Sequence, residues 1–100
     1  MIKHKFKAKP TVYDGIKYGS KKEANYAFKL DLAKKSGELL FYLRQVPFDL
    51  PGGFKHRIDF LEFWADGTAK FVEVKGMDLP MGKLKRKQVE ELYGFKIDVV

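Results

Sequence analysis

The chain has 100 residues, 45% of them hydrophobic and 33% charged, a composition typical of one small globular domain. It has no cysteine, which excludes disulfides and thiolate metal sites, and His4 and His56 are too few to build a zinc centre, so any metal must be bound by oxygen. The net charge of +7 predicts an anionic partner, with nucleic acid as the first candidate and a membrane surface or an acidic protein as alternatives.

The sequence has none of the features of membrane-spanning or secreted proteins. No apolar run approaches the roughly 18 residues of a membrane span, and no apolar segment follows the basic start, so we expect a cytoplasmic protein. A protein of the membrane surface needs an amphipathic helix with Trp, Phe and Leu opposite its basic face, whereas the single Trp64 falls in a predicted strand.

Residues 1–10 predict a basic N-terminal arm, and residues 11–100 a single domain. The arm has alternating lysines, which are Lys3, Lys5, Lys7 and Lys9. The simplest interpretation is a flexible basic arm, which either tracks phosphates or only solubilises the terminus; an edge strand protected by its lysines is the alternative.

A β-ribbon and a helix are predicted next. Asp14-Gly15 between β-forming residues is a strong hairpin signal. Ser20 and Glu23 form a capping box, with Ser at the N-cap and Glu three residues later. The helix that they open is predicted to run to about Ser36 and to stop at Gly37.

Glu23 has two interpretations. In the first, its carboxylate only caps the backbone amide of Ser20. In the second, Glu23 heads a row with Ala27 and Leu30, so it lies at the edge of the buried face, where an acid could reach a metal on the sheet. The residues alone leave both open.

Three strands are predicted at residues 38–50, 54–64 and 69–75. In the first, Pro47 indicates a bend or a sheet edge rather than a sheet centre. The second and third form a hairpin closed by Ala65-Asp66-Gly67. A three-residue loop in which Gly67 takes positive φ places residue 59 opposite residue 73, whereas a two-residue loop would place it opposite residue 74.

In the first of these registers, Asp59 and Glu73 converge on one sheet face and Lys75 stays on that face. Two opposed carboxylates destabilise a sheet unless something neutralises them. Because Mg²⁺ takes oxygen ligands from one or two carboxylates plus water, a magnesium site explains the pair. The alternative is a solvated strand face on which Asp59 pairs with Lys75 or Lys70.

A second helix is predicted at residues 80–93, with Pro80 in its first turn and Gly94 as its stop. A last strand at residues 97–100 should lie parallel to the third strand, because a helical crossover connects them. The helix carries a basic run, which is Lys83, Lys85, Arg86 and Lys87. Such a run is either a solvated face or a surface that contacts the DNA backbone, and the +7 charge favours the second.

These elements make an α/β fold with a mixed sheet: helix, three antiparallel strands, helix, parallel strand. With this order the chain resembles the PD-(D/E)XK nuclease superfamily, in which Ile58-Asp59 takes the place of Pro-Asp and Glu73-Val74-Lys75 is the (D/E)-X-K element. Gly15-Ile16, residues 20–24 and Val74-Lys75-Gly76 are similar to small phage proteins of the Holliday junction resolvase type. The resemblance covers about residues 12–100.

The resemblance implies a restriction-endonuclease-like core and a set of site residues. Asp59 and Glu73 would bind Mg²⁺ or Mn²⁺ with help from the Val74 carbonyl, and Lys75 would orient or activate the attacking water. Glu23 would be the helix-borne acid, bound directly or through water. The pattern departs from the family at Ile58, a position that binds nothing.

The implied function is a metal-dependent endonuclease that cuts branched DNA, above all four-way junctions, as a homodimer, because resolution needs paired nicks on a two-fold symmetric substrate. The alternatives are a nuclease that acts on duplex, flap or single-stranded DNA and a non-catalytic basic DNA-binding module. No membrane partner and no small-molecule cofactor is expected. The residues expected to contact DNA are Lys83, Lys85, Arg86, Lys87, Lys21, Lys22, Lys5 and Lys7.

Overall fold

The computed structural model describes residues 9–100. Most of the predicted arm, with Lys5 and Lys7, lies outside the described residues. The elements, in chain order, are β1 (Thr11–Tyr13), β2 (Ile16–Tyr18), α1 (Lys21–Lys35), β3 (Leu39–Leu50), β4 (Phe54–Trp64), β5 (Ala69–Glu73), α2 (Pro80–Tyr93) and β6 (Ile97–Val99).

The strands β3, β4, β5 and β6 form one sheet in that order, and β1 and β2 form a separate ribbon. β3, β4 and β5 pair antiparallel, and β6 pairs parallel to β5. The predicted mixed α+β order of helix, three antiparallel strands, helix and parallel strand is therefore confirmed. Pro47 lies in β3 at the edge of the sheet, where its missing N–H leaves no ladder hydrogen bond unmade on the open side.

The local signals set the ends of these elements. Asp14 and Gly15 both have positive φ, 52° and 75°, as a two-residue hairpin turn requires. α1 begins after Ser20, whose Oγ accepts a hydrogen bond from the Glu23 amide at 3.0 Å. α2 begins at Pro80, the predicted first position.

Two apolar clusters lie on opposite faces of the sheet, one under each helix. Val72 belongs to the first cluster and its neighbour Phe71 packs against the second, and consecutive strand residues point to opposite faces. The first cluster, with α1, consists of Tyr18, Ala24, Ala27, Leu30, Leu39, Phe60, Val72 and Val74. The second, with α2, consists of Leu50, Ile58, Val89 and Ile97.

The two clusters meet along β4. Ile58 belongs to the cluster with α2, while Phe60 belongs to the cluster with α1. Regular alternation would place residues two apart on the same face. The alternation is therefore broken around Asp59, the residue between them.

Neither helix within residues 9–100 is long and apolar enough to cross a membrane.

Candidate functional site

The hairpin of β4 and β5 has the predicted register. Phe60 pairs with Val72, the last pair of the ladder, and this register continued by one residue would set Asp59 opposite Glu73. The loop has three residues, because the Trp64 amide donates to the Thr68 carbonyl at 2.9 Å and Gly67 takes φ 90°. The two-residue loop, which would have separated the carboxylates, does not form.

Asp59 is half-buried and is held by two donors. Its Oδ2 accepts from the backbone amide of Val74 at 2.8 Å, and its Oδ1 accepts from Gln45 Nε2 at 3.2 Å. The alternative pairing with a lysine is not made: Lys75 Nζ lies 3.6 Å from Glu73 Oε1, and Lys70 Nζ lies over the ring of Trp64, 5.2 Å from its centroid. The solvated-face interpretation of Asp59 is therefore not what the structure shows.

Glu73 is fully buried, with 0% of its surface exposed. Its Oε2 lies 2.5 Å from His56 Nε2. Its Oε1 lies 3.6 Å from both Lys75 Nζ and Arg86 Nη1 but has no hydrogen-bond partner among residues 9–100. Since a buried acceptor without a partner is costly, this oxygen is the one that a further ligand would satisfy.

Glu23, at the start of α1, has its carboxylate at the sheet, as the second of its two interpretations expects. Its amide takes part in the cap, but its carboxylate reaches the sheet, where Oε2 accepts from Gln45 Nε2 at 3.1 Å and lies 3.9 Å from Arg44 Nη2. Burial raises the pKa of the Glu23 carboxyl, and the negative charge of Asp59 raises it further. Both carboxylates accept from Gln45 Nε2, so they are close enough to interact.

Arg86 belongs to the site rather than to the exposed basic run. Its guanidinium donates to both oxygens of Asp78, at 3.2 and 2.7 Å, and its side chain is only 12% exposed. This bidentate contact lowers the pKa of the Asp78 carboxyl. Of the other residues in the run, Lys83 and Lys87 are exposed and Lys85 is half-buried.

On α1, Lys21 and Lys22 are both exposed. Lys22 Nζ donates to the backbone carbonyl of Lys75 at 2.8 Å, which places its cationic end beside the end of β5. Lys22 therefore lies at the site, next to the strand that carries Glu73.

Sequence reasoning missed two residues, His56 and Gln45. His56 is buried against Glu73, but the two are far apart in sequence and no motif joins them. Gln45 could have been found from the β3–β4 register, in which Arg44 pairs with Phe60 and Val46 with Ile58, so that Gln45 lies opposite Asp59. The positive φ of Gln45, however, is not indicated by any pattern in the sequence.

The oxygen donors of this site are of the kind that a hard divalent cation takes. In the part of the chain that the structure describes, no three His, Cys, Asp or Glu side chains converge closely enough to hold a metal. Mg²⁺ does not need such a group, because it keeps several waters and takes one or two carboxylates. Asp59, the unpartnered Oε1 of Glu73 and the Val74 carbonyl are oxygen donors of this kind.

Comparison with known proteins gives one match. A family model described as "Protein of unknown function (DUF1064)" matches residues 3–98 of the chain. No curated protein and no solved structure matches it.

Proposed function

The chain belongs to the DUF1064 family of proteins of unknown function, and we propose that it is a divalent-cation-dependent endodeoxyribonuclease that hydrolyses phosphodiester bonds in branched DNA. One observation carries the proposal. Asp59 on β4 accepts a hydrogen bond from the amide of Val74, the residue after Glu73, and the Lys75 ammonium lies 3.6 Å from a Glu73 oxygen that has no hydrogen-bond donor within residues 9–100. Acids that can hold a metal ion beside a lysine suit phosphodiester hydrolysis, in which the ion neutralises charge and activates water.

Asp59, Glu73 and the Val74 carbonyl would hold Mg²⁺ or Mn²⁺, with Glu23 bound directly or through water. The bound ion would neutralise charge on the phosphate and lower the pKa of a bound water. The surrounding protein groups orient the carboxylates that would bind the ion. The Val74 amide fixes the carboxylate of Asp59, and His56 fixes one oxygen of Glu73, so the other oxygen points toward Lys75.

Lys75 and Arg86 have different roles beside Glu73. The side chain of Lys75 is 33% exposed, so its ammonium can contact both the site and an incoming phosphate, and it orients the attacking water. The guanidinium of Arg86 is held by Asp78 and faces the same Glu73 oxygen. Arg86 therefore balances the negative charge of Glu73 and need not contact DNA.

DNA is the substrate class that the charge favours. A net charge of +7 on 100 residues attracts phosphate, and exposed lysines are present on both helices. The lysines that we expect to contact the DNA backbone within the described residues are Lys21, Lys22, Lys83, Lys85 and Lys87. Lys5 and Lys7 would add contacts from the arm.

The expected substrate, assembly and compartment are inferred from the resemblance to phage-type junction resolvases. Four-way junctions are the expected substrate, and a homodimer is the expected assembly. The expected compartment is the cytoplasm, which for a phage protein is the cytoplasm of the host cell. A non-catalytic DNA-binding module is the less favoured alternative, because carboxylates near phosphate repel it when no metal is bound. A module that only binds would gain nothing from Asp59 and Glu73.

A cleavage assay tests the proposal. End-labelled four-way junction, linear duplex, single strand and flap are incubated with the protein and Mg²⁺ or EDTA. The variants are Asp59→Ala and Glu73→Ala, with Glu91→Ala, an exposed acid on α2, as the matched control. We expect symmetric Mg²⁺-dependent nicks on the junction that both site variants lose and the control keeps, while DNA binding without metal survives.

The other outcomes separate the alternatives. Cutting of all four substrates would indicate a general nuclease with the same site. Wild-type cleavage by Glu73→Ala would place the chemistry elsewhere. DNA binding without cutting under any divalent ion would favour the binding module.

A further inference from the structure

Gln45 has an unusual backbone conformation in the middle of β3. Its φ is 52°, in the left-handed region that residues other than glycine rarely adopt. The ladder continues without a shift on both sides, from the Arg44–Phe60 pair to the Val46–Ile58 pair. Such a conformation persists where its surroundings over-determine it, and it is common at functional sites.

The left-handed residue brings two consecutive side chains to the same acid. Arg44 Nη2 lies 3.9 Å from Glu23 Oε2, and Gln45 Nε2 lies 3.1 Å from that same oxygen. In a regular strand these side chains would point to opposite faces of the sheet. The conformation of Gln45 therefore brings its amide into contact with α1.

The Gln45 amide joins two carboxylates that come from different elements. Its Nε2 donates to Glu23 Oε2 at 3.1 Å and to Asp59 Oδ1 at 3.2 Å. An amide nitrogen has two hydrogens, so it can serve both acceptors at once. Asp59 is in turn bound by the amide of Val74, the residue after Glu73. The contacts thus connect the helix-borne acid Glu23 with Asp59 and with the backbone at the end of β5.

We propose that Gln45 is a positioning residue of the cation site: its amide holds the carboxylates of Glu23 and Asp59 side by side, so that both face the same divalent cation. This inference rests on the proposed function. Without a donor between them, the two carboxylates would repel each other, and Glu23 would turn away from the sheet. The mutual effect of their charges on the Glu23 carboxyl agrees with this proximity.

Two substitutions at this position separate the amide from the backbone conformation. Gln45→Met keeps the side-chain length and removes the donors. Gln45→Gly also removes the donors but relieves the left-handed backbone, so it folds at least as easily. Gln88→Met, at an exposed position on α2, is the matched control. Thermal unfolding of each variant establishes that it is folded.

The readout is calorimetric binding of Mn²⁺ and of Mg²⁺ to the protein without DNA, which does not depend on activity. We expect both Gln45 variants to bind each cation about 10- to 100-fold more weakly than wild type, as is typical when a residue that orients a ligand is lost. The control should bind as wild type does. In a Glu23→Gln background, Gln45→Met should cause a smaller further loss than in wild type, because only its contact with the Asp59 carboxylate remains to be removed.

Three results would overturn the inference. Wild-type affinity in both Gln45 variants would mean that the amide does not position the ligands. A full additional loss in the Glu23→Gln background would mean that Gln45 acts independently of Glu23. If wild type binds no divalent cation at all, the proposed function fails and this inference fails with it, whereas the first two results leave the proposed function intact.

Discussion

In the interior of the sheet, His56 Nε2 lies 2.5 Å from Glu73 Oε2. This contact divides the roles of the two carboxylate oxygens. Oε2 is held by a neighbouring strand, and Oε1 is left facing Lys75 and Arg86. A carboxylate fixed at one oxygen presents the other in a single orientation, which is useful for a group that must bind a ligand in a defined geometry.

The first prediction concerns this histidine. His56→Ala removes the hydrogen-bond partner of Glu73 Oε2 and leaves this oxygen buried, so we expect the free energy of unfolding to fall by about 1–3 kcal/mol. His56→Gln restores a side-chain N–H and should recover part of the loss. Urea unfolding of the three proteins measures both effects. An His56→Ala protein within about 0.5 kcal/mol of wild type would show that the contact contributes little.

The second prediction concerns Lys75. Lys75→Met should reduce the rate of DNA cleavage at least about 100-fold, the usual minimum for a positioned acid–base group, while cation binding stays close to wild type. Single-turnover cleavage and calorimetry measure the two quantities separately. Lys17→Met, at an exposed position on the β1–β2 ribbon, is the control for loss of one positive charge. Equal losses of rate in both variants would mean that Lys75 acts only by attracting DNA through its positive charge.

The third prediction distinguishes Arg86 from Lys83, which sequence alone groups together. Lys83→Ala should change the free energy of unfolding by less than about 0.5 kcal/mol and reduce the slope of log affinity against log salt by about one. Arg86→Ala leaves Glu73 and Asp78 without their shared partner, so it should destabilise the fold several-fold more and leave the slope nearly unchanged. A reduced slope without destabilisation in Arg86→Ala would mean that its guanidinium contacts DNA.

The fourth prediction follows from the raised pKa of Glu23. The folded protein keeps the Glu23 proton to a higher pH than the unfolded chain does. Between the ordinary carboxyl pKa and the raised one, the folded state binds more protons, so stability falls as the pH rises through this interval. Glu23→Gln removes the effect, so its stability relative to wild type should rise as the pH rises above the ordinary carboxyl pKa.

Urea unfolding of wild type and Glu23→Gln at several pH values measures this difference. Glu62, whose pKa burial also raises, is present in both proteins, so its contribution cancels. A difference that stays constant with pH, or that grows toward acid pH, would contradict the assignment of the shift to Glu23.

Local signals were enough to predict the elements, because turns and caps depend on a few adjacent residues. The predicted third strand, residues 69–75, is two residues longer than β5, which ends at Glu73. The difference is small, because the parallel pairing continues through the Lys75 amide, which donates to the Val100 carbonyl at 3.1 Å. The three-residue loop at Gly67 predicted the register of β4 and β5, in which Phe60 pairs with Val72.

The parts of the site that sequence did not predict all depend on tertiary packing. Arg86 lies beside Glu73 of β5 as well as beside Asp78, and the basic run gives no indication of the contact with Glu73. The left-handed conformation of Gln45 is imposed by partners on other elements rather than by a local preference. Patterns within one segment carry no information about such contacts.

The break in alternation along β4 has a consequence for cooperativity. Because Phe60 packs under α1 and Ile58 packs under α2, a single strand belongs to both apolar clusters. Neither cluster can lose its packing without disturbing the other, so the chain is expected to melt in one all-or-none transition. Asp59 lies on β4 between the residues that join the two clusters, so this carboxylate is anchored in the part of the fold that both clusters share.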